Sequence, residues 1–354
     1  MRILYFGIYD PNYSRNRVLI RGLKLNGVTV DELRARPLDR LWWCKLGFRG
    51  FKYIFKQYDY VFVGFSGQEA MILARLLFPF SNIIFDAFTS HYGGYILDRE
   101  YFNKNSLRAR YYRFIDWLSC FLADKVLLDT DAHIRFFVRE FGLNLKKFIR
   151  VFVGTDESVM KPSENPSPHN VFTVHFHGSF IPLQGVDIIL QTAKILKNEN
   201  ILFKIIGKGP MYPKVEEYII KNDLKNVILE GKVPYTNLPT KISDTDVCLG
   251  IFGKSPKTQI VIPNKVYEAI AVGRPVITAD TPAIRELFDG GNNILLCDVA
   301  DPSSLAEKIR LIMNDDNLRR RIAKNGYDLF QNKLRSDIIA KDLLDVLQNN
   351  FKND

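Results

Sequence analysis

Ile262-Pro263-Asn264-Lys265-Val266-Tyr267-Glu268-Ala269-Ile270-Ala271-Val272-Gly273-Arg274-Pro275-Val276-Ile277 reads as a short helix followed at once by a buried strand. Pro263 and Asn264 open the helix, Gly273 closes it and Pro275 starts the strand. The first backbone N–H groups of such a helix lack partners within it. With Lys265 beside them they suit a diphosphate. Glu268 lies one turn in from Asn264 and faces the same end, where a carboxylate can accept both hydroxyls of a ribose. Taken alone, the run is better read as a surface helix with a solvated Lys and Glu. It does not stand alone.

Outward from this run, the second half alternates strands and helices. Val171–His177, Phe203–Gly207, Val227–Gly231, Val247–Phe252, Pro275–Thr278 and Ile294–Leu296 read as strands. Val186–Lys197, Met211–Asn222, Thr236–Ile242, Asn264–Val272 and Pro282–Phe288 read as the helices between them. The first half repeats the pattern, with strands at Arg2–Gly7, Val28–Leu33, Tyr60–Gly64, Asn82–Asp86 and Lys125–Asp129. Its helices are Arg15–Leu25, Gln68–Phe78, Ser106–Ala123 and Ala132–Phe141. Such alternation predicts parallel sheets with crossover helices, and so an α/β protein of two doubly wound domains. The polar, proline-bearing stretch Lys161–Asn170 is the expected linker. The expected domains are residues 1–160, joined by a C-terminal helix over 335–354 that packs back on them, and residues 161–334. Ligands of open α/β sheets bind at the carboxyl ends of the strands, so two such domains are expected to face each other across a cleft.

The length of 354 residues fits two domains, and 47% apolar with 25% charged residues is ordinary globular composition. Four cysteines with no short paired spacing give neither a zinc framework nor a redox pair, which fits a reducing cytoplasm. No signal-peptide layout and no apolar stretch of roughly 18–20 residues is found, so a soluble or peripheral protein is expected. The net charge of +10 is lopsided. Residues 1–150 carry 24 Lys and Arg against 14 Asp and Glu, whereas residues 151–354 are balanced at 25 each. The first half is therefore expected to meet an anionic surface. Nucleic acid would satisfy charge alone, but no nucleic-acid-binding motif is present and none is expected as a partner.

Six pieces of the second half occur in order: Gly178 after the first strand; Ile205-Ile206-Gly207-Lys208-Gly209-Pro210; Leu229-Glu230-Gly231-Lys232-Val233; Asp244-Thr245-Asp246-Val247-Cys248-Leu249-Gly250; Pro263–Ile277; and Glu286 with Gly290-Gly291-Asn292-Asn293. Each is weak alone and the series is strong. The sequence resembles the retaining glycosyltransferases of family four, which adopt the GT-B fold of two Rossmann-like domains. The resemblance implies a hexosyltransferase-type enzyme that needs no metal or other cofactor, with a nucleotide-diphosphate sugar as co-substrate. It implies donor contacts at Gly7, Gly178, Lys208, Gly209, Lys232, Val233, Asn264, Lys265, Val266 and Glu268, with Glu268 on the donor ribose. Lys265 and the helix amides would stabilise the leaving diphosphate. Asp86 or His91 would meet the transferred sugar, and Arg15 and Arg17 an acceptor or phosphate. A lone loop histidine such as His91 is also readily structural.

The departures are specific. Ile260 stands where the family has a first glutamate, seven residues before the second. Ser179 and Gln184 fall in the loop Gly178–Gly185, where the family tends to carry an arginine and a lysine on the donor phosphates. Lys254 or Lys257 is the expected substitute, together with Lys265. Asp129-Thr130-Asp131 and Asp244-Thr245-Asp246 imitate a metal-binding aspartate pair, but Thr130 or Asp131 is better read as a helix cap and no metal is expected.

Leu41–Lys56 interleaves Trp42, Trp43, Phe48, Phe51, Tyr53 and Phe55 with Lys45, Arg49, Lys52 and Lys56. It reads equally as a helix in a lipid headgroup layer or as one half-buried on the sheet. A similar mixture in Arg108–Phe121 tips the domain toward an anionic membrane, the inner face of the cell membrane for a cytoplasmic protein. The leading expectation is sugar transfer with retention to a lipid-linked or glycan acceptor in cell-envelope glycan assembly. Its rivals are a nucleotide-sugar epimerase of the same fold and a non-catalytic nucleotide-sugar-binding subunit.

Overall fold

The computed structural model describes residues 1–36, 39–163 and 170–351, so residues 164–169 of the expected linker lie outside it. The chain forms two compact units, one of Met1–Asp156 with Leu334–Asp354 and one of Glu157–Lys333.

In the first unit the strands are β1 (Arg2–Gly7), β2 (Thr29–Arg34), β3 (Tyr60–Val63), β4 (Ile83–Asp86), β5 (Lys125–Leu128) and β6 (Phe148–Arg150). They form one parallel sheet in the order β2-β1-β3-β4-β5-β6. The helices are α1 (Ser14–Leu25), α2 (Trp42–Gly50), α3 (Ala70–Leu77), α4 (Leu107–Leu122) and α5 (Asp131–Phe141). Strand side chains alternate between two cores, as a pleat requires. Leu4, Phe6, Val61, Val63, Phe85 and Val126 join Leu46, Met71, Ala74, Cys120 and Phe137 of α2–α5. Ile3, Tyr5, Tyr60, Phe62, Ile84 and Leu127 turn the other way, toward Val18, Leu19 and Leu23 of α1.

The second unit carries β7 (Phe172–His177), β8 (Ile201–Ile206), β9 (Val227–Glu230), β10 (Val247–Leu249), β11 (Val276–Ala279) and β12 (Leu295–Cys297). This sheet is also parallel, in the order β12-β11-β10-β7-β8-β9. Its helices are α6 (Val186–Ile195), α7 (Tyr212–Lys221), α8 (Leu238–Ser243), α9 (Asn264–Ala271), α10 (Pro302–Asn314) and α11 (Asp316–Lys333). Val174, Phe176, Phe203, Ile205, Leu249 and Ile277 pack with α6 and α10 in one core. The alternate positions of β7, among them His175 and His177, face the opposite side, where α9 lies.

The last helix, α12 (Ser336–Phe351), returns to the first unit. Its Ile339, Ala340, Leu343 and Leu347 complete the core beside α1. A Cβ on Gly22 of α1 would lie 2.0 Å from the Ser336 carbonyl oxygen and 2.7 Å from Ala340 Cβ, so only glycine lets the two helices approach this closely.

The sequence reading needs three adjustments. Phe148–Arg150 is a strand it did not include. Trp42–Gly50 is a regular helix that buries Leu46 and Gly50 and packs Trp42 on the core. Pro282–Phe288 holds only one 3-10 turn, Ile284–Glu286, whose start is tied by an Ile284 N–H bond to Thr281 Oγ1.

Candidate functional site

In the second unit the direction of strand succession reverses between β7 and β10, the position where open α/β sheets leave a crevice for ligands. The loops that follow these two strands are zipped together. Phe252 N–H donates to Gln184 O at 3.2 Å and Gly253 N–H to Leu183 O at 3.2 Å. Gly185, at φ +65°, sits so close that a Cβ would fall 2.6 Å from Gly253 N. On the other side, the loops after β7 and β8 join through Phe180 N–H to Lys208 O (3.1 Å) and Met211 N–H to Phe180 O (3.1 Å). A Cβ on Gly207 would lie 1.9 Å from Gly178 O, so this glycine is required for the loops to meet.

Lys265, in the first turn of α9, is buried and directs its ammonium back to this loop. Its Nζ donates to Gln184 Oε1, lies 3.7 Å from the centroid of the Phe176 ring and would be 2.8 Å from a Cβ on Gly178. The amine therefore occupies the space beside Gly178 and Gln184, in the loop where the family resembled tends to carry two cations. Burial pushes its pKa well below the usual lysine range, partly opposed by Glu268.

Glu268, one turn along, is also buried and accepts a hydrogen bond from His177 Nε2 at 2.7 Å. Behind it, His177 Nδ1 and His175 Nε2 are 2.9 Å apart. Burial, reinforced by His177, Lys265, Lys204 and Lys241, pushes the His175 pKa well below its usual value. Neither histidine was picked out from the sequence. The signal was there, His-x-His on one face of a strand ending at Gly178, but buried strand residues read as core.

The other expected donor residues gather unevenly around this centre. Gly178 and Asn264 border it. Val266 is buried, and its N–H is taken by the Pro263 carbonyl at 3.0 Å, so its amide is already engaged. Lys208 is exposed over the Tyr212 ring (5.7 Å) beside Gly209, and Gly231 lies close to its chain. Lys232 and Lys254 are exposed, Val233 and Lys257 half-buried. Ile260 packs against an apolar patch of Ile181, Leu183, Ile251 and Val261. Ile260 thus packs on Ile181 and Leu183 of the loop that also carries Ser179 and Gln184.

In the first unit, two of the expected site residues meet each other. Arg15 and Asp86 are completely buried and paired with each other, Arg15 Nε lying 3.0 and 3.1 Å from the two carboxylate oxygens. Arg15 Nη1 also donates to Val151 O at 2.6 Å. They tie α1 to the sheet. Burial raises the Asp86 carboxyl above its usual range, opposed by Arg15. Arg17 is ion-paired with Asp156 at 3.3 Å, so its charge is likewise engaged. Gly7 ends β1 with φ +132° and remains at the strand end expected of it. His91 is mostly buried, 3.9 Å from Glu69 and edge-on to Tyr112. Its loop is held by Asp116, which accepts from Ser90 Oγ (2.7 Å), His91 N–H (3.0 Å) and Tyr92 N–H (2.8 Å).

Among the described residues no group of three or more His, Cys, Asp or Glu side chains is placed to hold a metal ion. The two aspartate pairs are otherwise employed. Thr130 caps α5 by accepting His133 N–H, Asp129 binds His133 Nδ1 at 2.7 Å, and Asp246 accepts Thr173 N–H at 2.8 Å. No helix among the described residues is long and apolar enough to cross a membrane.

Comparison with known proteins bears on the same half. Residues 160–329 match the family described as glycosyl transferases group 1. An uncharacterized glycosyltransferase of Methanocaldococcus jannaschii is 26% identical over 231 residues, 63% of this chain and 58% of that protein. The capsular polysaccharide biosynthesis glycosyltransferase CapM of Staphylococcus aureus is 26% identical over 57% of this chain and 51% of its own length. The chain thus spans between half and three fifths of these curated relatives. In structure, it is similar to Alr3699/HepE of Anabaena, crystallised with UDP and glucose, with a TM-score of 0.75 at 15% identity over 98% of this chain and 99% of that one. Sucrose-phosphate synthase of Thermosynechococcus elongatus gives a TM-score of 0.78 at 15% identity, over 100% and 99%. These likenesses and the two sheets show the GT-B fold of two Rossmann-like units.

Proposed function

Residues 160–329 match the glycosyl transferases group 1 family, and from that premise we propose that the chain transfers a sugar from a nucleotide-diphosphate sugar to an acceptor hydroxyl. The observation that carries this reading is the pair Lys265 and Glu268 in the first two turns of α9, at the switch point of the second sheet. A buried cation and a buried carboxylate three residues apart match the two halves of a nucleoside diphosphate, the phosphates and the ribose. Lys265, joined by the amide end of α9, would meet the charge that develops on the departing diphosphate. Transfer with retention and without metal is the mechanistic form we assign to it. His91 is the remaining candidate from the first unit for contact with the transferred sugar.

The test is a thermal-shift screen against nucleoside diphosphates and their sugars. A ligand at about 100 times its Kd adds about 2.7 kcal/mol. That is a rise of roughly 5–10 °C for a unit of this size. No shift from any of them at millimolar concentration would end the proposal.

For the acceptor we propose a lipid-linked or glycan substrate at an anionic membrane. Helices α2, α3 and α4 lie side by side. Gly50 abuts Leu77, and Arg75 donates to the Leu122 carbonyl at 2.7 Å. This layer exposes Phe48 (85%), Phe55 (77%), Phe80 (100%) and Leu107 (82%) amid the cations of the basic first half. Aromatic side chains and cations presented together suit a headgroup layer, and with it a cytoplasmic enzyme on the inner face of the cell membrane. The protein is expected to co-sediment with phosphatidylglycerol-containing vesicles and not with neutral ones. Changing Phe48, Phe51 and Phe55 together to Ser should weaken that partitioning by about tenfold or more. Equal sedimentation of the triple variant would remove the membrane from this account.

A further inference from the structure

The chain Glu268–His177–His175 has only one arrangement of protons when Glu268 is ionised and His177 is neutral. A carboxylate only accepts, so His177 Nε2, 2.7 Å from Glu268 Oε2, must carry a hydrogen. A neutral imidazole has one donor and one acceptor, so His177 Nδ1 is bare and accepts from His175 Nε2 at 2.9 Å. His175 Nδ1 is then bare as well, and this is a buried nitrogen without a hydrogen-bond partner. The order strands an acceptor there, which proteins tolerate better than a stranded N–H. All three side chains are buried, with relative exposures of 1% for His175, 8% for His177 and 5% for Glu268. The positive groups around the pair, Lys265 on α9, Lys204 on β8 and Lys241 on α8, all disfavour a further proton on His175.

We infer that His177 is a positioning residue for nucleoside recognition, holding Glu268 Oε2 so that Oε1 accepts the vicinal diol of the ribose, with His175 fixing the tautomer of His177. The inference rests on the proposed nucleotide site. In the metal-site analogue, an acidic or carbonyl group behind a histidine sets which nitrogen faces the ligand. Here the order is reversed, with histidines standing behind a carboxylate. Without the His177 bond, Glu268 keeps its charge but loses its fixed orientation.

The test titrates the full chain and its His177→Phe variant with UDP and GDP, their 2′,3′-dideoxy counterparts and inorganic pyrophosphate. The variant should bind the tighter of the two diphosphates roughly 20–50-fold more weakly, and the dideoxy compounds and pyrophosphate within about threefold of the parent. In transfer assays KM for the donor should rise by a similar factor with kcat little changed. His177→Gln keeps an N–H at nearly the position of Nε2 and should recover most of the affinity, whereas His177→Asn is one bond too short and should not. The Asn variant carries the test if Phe prevents folding. A His177→Phe or His177→Asn variant that keeps full diphosphate affinity, or loses it equally for all three ligand types, overturns the inference. A parent protein that does not distinguish ribose from dideoxyribose overturns the underlying assignment of Glu268 instead.

Discussion

Glu268→Ala should lower kcat/KM for the nucleotide sugar by about a thousandfold. Hydrogen bonds from hydroxyls to a charged, buried acceptor are each worth about 1.5–3 kcal/mol. Loss of two therefore costs roughly 4 kcal/mol, which is about 10³ in rate or affinity. The substitution also leaves His177 Nε2–H, now 2.7 Å from the vanished carboxylate, buried without an acceptor. A stability loss of about 1–3 kcal/mol should accompany the loss of function. Steady-state kinetics over a range of donor concentration, with the unfolding midpoint measured in parallel, separate the two. An unchanged turnover would remove Glu268 from the site.

Lys265→Met should show the opposite pairing, weaker function in a more stable protein. The ammonium is buried over Phe176 with Gln184 as its hydrogen-bond partner, and burial lowers its proton affinity. A thioether of similar length fills the same space without desolvating a charge, so the free protein should gain about 1–2 kcal/mol. Donor turnover should fall about 10²–10³-fold, because preorganised charge at a departing diphosphate is lost. The direction of the pH effect follows. A lysine whose folded pKa is depressed destabilises the free protein below that folded pKa, and the penalty fades as pH rises toward the ordinary value of about 10.4. A bound diphosphate favours the ammonium, so binding takes up a proton once pH exceeds the pKa of the free protein. Affinity should then fall by up to about tenfold per pH unit. Lys265→Met should abolish that slope in calorimetric titrations. A slope that persists in the variant would place the titrating group elsewhere.

Much of the architecture could be read from the chain because strand and helix periods repeat with clear punctuation. A closing helix is expected over 335–354, and α12 runs from Ser336 to Phe351. The site was only partly legible, and the reason is geometric. Strand ends and helix starts locate residues such as Asp86 and Arg15, but not whether they face a ligand or each other. In the fold they meet as a fully buried pair. Conversely, His175 and His177 sit in a run that looks like any buried strand. They gain meaning only when α9 lays Glu268 against them. Ile181 and Leu183 of the Gly178–Gly185 loop are 75 or more positions from Ile260 in sequence, and only the fold reveals that they pack together.

The close crossing of α1 and α12 at Gly22 bears on how the molecule matures. During synthesis residues 157–333 emerge before α12, so the first unit waits with Val18, Leu19 and Leu23 uncovered while its successor is already whole. The half that is translated first is therefore finished last. Loss of a short C-terminal segment would leave a sticky, incomplete amino-terminal body attached to an intact partner.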